Sequence, residues 1–120
     1  MAKPPVDVAG KGFSTRAINA GREPDCSSMP IYMANTGLDF YSRHHNPTVD
    51  ALEECLGSLD GGRAFTAACG MSAITQAFLT LLNVGDRLVC HRSVYDWVDA
   101  FVNHQAARLG IEAVQVDMRD

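Results

Sequence analysis

A length of 120 residues is one domain's worth, and 47% hydrophobic residues are enough for a core. A formal net charge of −4, with ten scattered Lys and Arg residues and no basic stripe, excludes a general attraction to nucleic acid or anionic membrane. Four widely spaced cysteines (Cys26, Cys55, Cys69, Cys90) without a CxxC pair read as reduced thiols of a cytosolic protein, and the opening Met1-Ala2-Lys3-Pro4-Pro5 has no apolar signal core.

Residues 1–30 read as an irregular arm punctuated by Pro4, Pro5, Gly10, Gly12, Gly21, Pro24 and Pro30. A short helical turn fits residues 14–19, with Ser14 as its N-cap. Residues 31–45 show no decisive period. At Asn46-Pro47 the signals sharpen, because an N-cap asparagine precedes a proline at the first helical position. Val49, Leu52, Leu56 and Leu59 then share one helical face, while Asp50, Glu53 and Glu54 face away and suit the helix dipole. Asp60-Gly61-Gly62 ends that helix.

Residues 63–68 read as a short buried strand, Gly70 as a turn, and residues 71–82 as a helix with Met71, Ile74, Phe78 and Leu81 on one face. Residues 64–85 carry no charge over about the length of a bilayer span, but Thr66, Gly70, Ser72, Thr75, Gln76, Thr80 and Asn83 favour strand, turn and helix over a membrane helix. After the turn at Asn83-Val84-Gly85-Asp86, residues 87–91 form a second strand. Residues 95–109 form a third amphipathic helix, with Val98, Phe101, Val102 and Leu109 inward and Gly110 as its C-cap. Residues 111–117 form a third strand. Strands alternating with helices predict an α/β chain with a parallel βαβαβ sheet, whose ligands bind at the carboxyl ends of strands. Such a sheet needs both faces covered, and another helix is expected beyond Asp120.

Several residues carry chemistry. Cys69-Gly70-Met71 joins strand to helix. There the first helical N–H groups lack intrahelical acceptors, and glycine lets an anion approach the backbone. The turn is either a phosphate site or an ordinary βα turn. It is neither a P-loop nor a dinucleotide fingerprint. In an extended segment Tyr41 and Arg43, two apart, point the same way and grip one anion together. Alternatively they are a half-buried phenol and a surface guanidinium. His44 and His45 diverge and have no ligand-spaced acid or cysteine, so they read as polar side chains rather than a metal site, and His91 beside Cys90 is no stronger. Cys69 reads as a small packed residue beside a ligand rather than a nucleophile. Tyr95, at the carboxyl end of the second strand, either stacks on a heteroaromatic ring or packs on the core, and Trp97 lines the same mouth or the core.

The order of these elements is more specific than any one of them. Residues 12–21 (Gly-Phe-Ser-Thr-Arg-Ala-Ile-Asn-Ala-Gly) come first, followed by Pro30-Ile31-Tyr32. Next come Tyr41-x-Arg43-x-x-Asn46-Pro47-Thr48 with Asp50-Ala51-Leu52-Glu53-Glu54, then Gly70-Met71, then Tyr95. Across nearly its whole length the chain resembles the N-terminal portion of the Cys/Met-metabolism (trans-sulfuration) family of pyridoxal 5'-phosphate (PLP) enzymes. That family includes cystathionine synthases, cystathionine lyases and methionine gamma-lyases. The Tyr-x-Arg-x-x-Asn-Pro-Thr element is the most specific part of the match.

The resemblance implies the first part of a fold type I large domain, with residues 1–45 as an arm and inter-subunit segment and residues 46–120 as the start of the PLP-binding domain. It implies a homo-oligomer, a dimer of dimers, in which Tyr41 and Arg43 reach the phosphate of a neighbouring subunit's PLP. It implies that the Gly70 and Met71 amides hold the phosphate of their own subunit's PLP. It implies that Tyr95 stacks on the pyridine ring and is a candidate for proton transfer to the leaving sulfur. It implies β- or γ-elimination or replacement on cysteine-, homocysteine- or methionine-type substrates. The chain departs from the family's pattern at Cys69, where a small hydroxyl residue is usual, and at Asp96-Trp97-Val98 after the tyrosine, and it is short between Pro30 and Tyr41.

The only lysines are Lys3 and Lys11, both in the arm, so the covalent attachment site of PLP is expected to be absent and the 120-residue chain alone to be inactive. Two other expectations stand beside an enzyme portion. One is a non-catalytic phosphate-binding or assembly chain that needs a lysine-bearing partner; the other is a truncated inactive product.

Overall fold

The computed structural model describes residues 4–33 and 41–119. They form two compact units, one up to Thr66 and one from Ala67. The sequence's ambiguous 31–45 stretch lies partly outside the described residues, as does its shortness before Tyr41.

In the first unit the arm folds back on itself, with Val6 N–H donating to the Arg22 carbonyl at 2.9 Å and Val8 and Ala20 buried. Helix α1 (Phe13–Asn19) starts one residue before the predicted cap. Gly12 takes the N-cap position without a side-chain bond, which leaves Ser14 inside the helix. Gly21, at φ +76°, turns the chain where α1 meets α2. A Cβ there would lie 2.8 Å from Ala51 Cα, so only glycine lets the two backbones approach this closely.

Helix α2 (Pro47–Asp60) forms as its sequence dictates. Asn46 caps it by accepting from Thr48 N–H at 2.9 Å, Pro47 opens it, and Gly61 closes it in the left-handed conformation at φ 70°. Its predicted inward face is covered only in part. Val49, Leu52 and Leu56 are exposed, whereas Pro47 and Gly57 are buried, Gly57 against the backbone of residues 62–64.

Residues 63–68 were expected to be a strand, but no ladder forms there. A strand needs a neighbour for its N–H groups. The Thr66 N–H instead donates to Glu53 Oε1 at 2.7 Å, and the Thr66 hydroxyl donates to the same oxygen at 2.9 Å. Phe65 is left exposed.

The second unit holds α3 (Gly70–Leu81), β1 (Arg87–His91), α4 (Asp96–Ala100) and β2 (Glu112–Val116). Helix α4 continues through a π-helical turn (Phe101–Gln105) into α5 (Ala106–Arg108), in place of the single regular helix expected over 95–109. Strands β1 and β2 pair in parallel, from Arg87 opposite Glu112 to His91 opposite Val116. Among the described residues the sheet therefore has two strands.

Gly85 N–H to the Gly110 carbonyl (2.8 Å) and Glu112 N–H to the Asp86 carbonyl (2.9 Å) join the strand starts. Gly110 sits at φ 72° at the end of α5, as predicted. The core of this unit is Val98, Val102, Ala106 and Ile111, with Phe78 of α3 meeting Phe101 at 5.5 Å between ring centroids. Leu81 and Leu109 remain exposed, against expectation, because no further element packs on them in this unit. No helix of the described residues is long and apolar enough to cross a membrane.

Candidate functional site

The first set of candidate residues precedes α2. Tyr41 and His45 form an antiparallel bridge, and the Tyr41 carbonyl accepts from His44 N–H (2.7 Å) and His45 N–H (2.8 Å). Residues 41–45 are thus a tight turn and not the extended segment in which residues two apart point the same way. The two side chains meet by another route: the Arg43 guanidinium carbon lies 4.4 Å from the Tyr41 ring centroid. Stacking leaves the edge of a guanidinium, where its N–H groups point, open to an anion. Both residues are exposed, and no carboxylate among the described residues pairs with Arg43.

Behind this turn is a network that sequence patterns did not announce. The Asn46 amide Nδ2 donates to the Tyr32 carbonyl (2.9 Å) and to Ser42 Oγ (3.1 Å). Thr48 Oγ1 accepts from Tyr32 N–H (2.8 Å) and donates to the Pro30 carbonyl (3.2 Å). The Tyr32 phenol donates to Glu23 Oε1. This hydrogen bond to a carboxylate, with lesser contributions from burial and charge, raises the phenol's pKa. His45 pairs with Asp50 at 2.5 Å. The only sequence signal for this network was the Asn-Pro-Thr spacing, which reads equally well as a helix cap.

The second set opens the other unit. Cys69 is extended (φ −162°, ψ 168°) and Gly70 begins α3, with no side-chain cap on the helix start. A Cβ on Gly70 would meet nothing within 4 Å, so the space beside the first helical residue is open. Uncapped N–H groups at the positive end of a helix dipole suit a phosphate group. Cys69 is exposed rather than packed, and Met71 is half-buried. Tyr95 follows β1 at its carboxyl end, caps α4 and exposes 61% of its surface, so it does not pack on the core. Trp97 is likewise exposed.

Charged side chains crowd the carboxyl end of the two strands. Asp117 bonds Arg92 at 2.5 Å and Arg119 at 2.6 Å, and faces His91 Nε2 at 3.5 Å. These partners, Arg119 foremost, hold its carboxyl below the ordinary range. His91 Nδ1 accepts from Ser93 N–H at 2.8 Å, which puts the ring proton on Nε2, toward Asp117. Burial, helped by Asp99, pushes the Cys90 thiol up. Among the described residues no group of three metal-ligating side chains forms.

The residues present fit a phosphorylated cofactor. In the first unit the exposed Arg43 guanidinium, with no carboxylate partner among the described residues, suits a phosphate oxygen; in the second unit the uncapped start of α3 offers N–H donors to a phosphate, and Tyr95 offers an exposed ring at a strand's carboxyl end.

Comparison with known proteins places the chain as a whole. The family model described as Cys/Met metabolism PLP-dependent enzyme matches residues 15–120. The chain is 35% identical to L-methionine gamma-lyase of Pseudomonas putida over 131 residues, covering 91% of this chain and 33% of that protein. It is 41% identical to cystathionine beta-lyase MetC of Bacillus subtilis over 103 residues, covering 78% and 26% respectively. Among solved structures, metB from Corynebacterium glutamicum superposes with a TM-score of 0.79 at 32% identity, over 96% of this chain and 34% of that one. Cystathionine gamma-lyase from Lactobacillus plantarum, complexed with L-serine, gives 0.76 at 30% identity, over 91% of this chain and 32% of that one. The chain spans about a third of the length of the relatives it matches. With the family model matched over residues 15–120, most of its length, the chain belongs to the Cys/Met metabolism family of PLP-dependent enzymes.

Proposed function

We propose that the chain is the N-terminal part of a PLP-dependent enzyme of sulfur amino-acid metabolism. The parent reaction is elimination or replacement at Cβ or Cγ of a cysteine-, homocysteine- or methionine-type substrate. The observation that carries this reading is the open, uncapped start of α3, in a chain that matches the family over residues 15–120.

In this reading the Gly70 and Met71 amides hold the phosphate. Tyr95 lies against the cofactor ring, with its phenol as a candidate proton carrier to the leaving sulfur. Tyr41 and Arg43 hold the phosphate of a cofactor on a neighbouring subunit of a homo-oligomer. Residues 1–45 serve as the arm and inter-subunit segment, and residues 46–120 as the first part of the cofactor domain. PLP, when bound, supplies the electron sink, while this chain supplies grip and orientation. Lys3 and Lys11 are its only lysines, and Lys11 lines an exposed cleft of the arm with Arg16 and Glu54, so the 120 residues alone lack an attachment lysine and do not turn over.

A second reading is favoured by the exposed apolar side chains Ile31, Met33, Phe65 and Val84, each at least 74% accessible. Such surface suits an assembly part that pairs with a lysine-bearing chain.

Titration of the purified chain with PLP and with pyridoxal, followed by borohydride reduction and mass spectrometry, tests both readings. Phosphate-dependent binding without a pyridoxyl adduct and without turnover is expected. Equal binding of PLP and pyridoxal refutes the cradle. A stable adduct on Lys3 or Lys11 with turnover refutes the inactivity of the chain. Activity gained on adding a lysine-bearing chain supports the assembly reading.

A further inference from the structure

We propose that Asn46 is a positioning residue for the cofactor grip, its carboxamide setting the Tyr41–Arg43 turn while it caps α2. This inference rests on the reading that Tyr41 and Arg43 hold a phosphate.

Pro47 has no N–H, so the first donor in α2 that needs an acceptor is Thr48 N–H, and Asn46 Oδ1 takes it at 2.9 Å. Asparagine, aspartate and serine serve that role almost equally. Only asparagine carries, beside the cap oxygen, a separate amide nitrogen that donates two N–H groups, and here that nitrogen is used. Nδ2 reaches the Tyr32 carbonyl at 2.9 Å and Ser42 Oγ at 3.1 Å. The orientation of the amide is forced, because Thr48 N–H can only donate and the Tyr32 carbonyl can only accept.

Ser42 lies between the two residues of the grip. Its bond to Asn46 fixes the middle of the turn whose ends bridge from Tyr41 to His45 and whose Arg43 lies 4.4 Å over the Tyr41 ring. Thr48 completes the clasp by taking Tyr32 N–H at 2.8 Å, so both backbone polar groups of Tyr32 end on side chains at the start of α2. The helix start, the arm at Tyr32 and the grip therefore share one amide. Tying down a loop before a ligand arrives removes ordering entropy from binding.

The experiment compares Asn46→Ser, Asn46→Asp, Ser42→Ala and Arg43→Ala in the full chain. Helix content is followed by circular dichroism, and the ring-current shift of the Arg43 side chain under Tyr41 by NMR. Affinity for PLP and for inorganic phosphate is measured on Asn46→Ser, Ser42→Ala and Arg43→Ala, because the Asp variant adds a charge. Asn46→Ser and Asn46→Asp keep a cap oxygen but lose the amide donor. Ser42→Ala leaves the cap untouched. With positioning, all three retain α2 and lose the Arg43 shift, and Asn46→Ser binds phosphate about fivefold more weakly. An unchanged Arg43 shift in Asn46→Ser and Ser42→Ala overturns the proposal. If Arg43→Ala leaves phosphate affinity unchanged, the grip itself is wrong, and the NMR shift still decides whether Asn46 orders the turn.

Discussion

Replacing Gly21 with alanine tests the packing of the first unit at its tightest point. Two costs are separable. The first is conformational: at φ +76° a Cβ crowds the following carbonyl, at about 1–2 kcal/mol for a left-handed residue. The second is steric. The new Cβ would sit 2.8 Å from both Ala51 Cα and the Ala51 carbonyl carbon, where ordinary contact begins near 3.4 Å. The obstacle is helix backbone, which cannot rotate away, and overpacking of this kind costs about 1–3 kcal/mol. Together they predict a loss of about 2–5 kcal/mol, a large share of a typical domain's stability.

Gly61 supplies the control. It also has positive φ, 70°, and it closes α2, but a Cβ there meets nothing within 4 Å. Gly61→Ala should therefore cost only the first term. Urea unfolding with native-state hydrogen exchange of the α2 amides measures both variants. Equal losses in the two, within about 0.5 kcal/mol, would refute the close approach of α1 to α2.

Two further outcomes follow from the same structure. Asp117 has its pKa lowered chiefly by Arg119, so its contribution to stability is full above the ordinary aspartate value and is lost as pH falls through the lowered one. The difference in Tm between wild type and Asp117→Asn should then shrink on acidification; a difference that stays constant with pH would contradict this. Glu53→Gln weakens two bonds from Thr66, and a loss of about 1–3 kcal/mol is expected, with faster exchange at the Thr66 amide. Unchanged exchange at that amide would mean that Glu53 does not hold the segment.

Local chemistry was the legible part of the sequence. Asn46, Pro47 and Gly61 bound α2 because caps depend on one or two neighbours, and residues 87–91 became β1 at the predicted positions. What depends on distant partners was not legible. Residues 63–68 have the composition of a strand, but Glu53 took the Thr66 donor. Val49, Leu52 and Leu56 are patterned for burial, yet the unit covers them only in part. The π-helical turn at Phe101–Gln105 has no local signature, since Val98, Val102 and Ala106, spaced by four, fit a regular helix as well. Tyr41 and Arg43 lie together, but a turn and a ring stack bring them together, not strand alternation. The second function of Asn46 was hidden because its first, capping, already explained the residue.

The two-stranded sheet carries a charged mark at each end of its ladder. Arg87 bonds Glu112 at 2.8 Å where the strands begin, and Arg92 bonds Asp117 at 2.5 Å just past where they finish. Each pair spans the same 25 residues of sequence, so both close in one alignment only. Exposed ion pairs add little to stability. Their value here is as a vernier: a slip of one residue opens both together and turns the side chains to the opposite face. Each residue of slip would also carry the carboxyl end of one strand about 3.3 Å past the other. The segment leading to Tyr95 starts from that end, so the alignment of two five-residue strands sets where the aromatic ring is delivered.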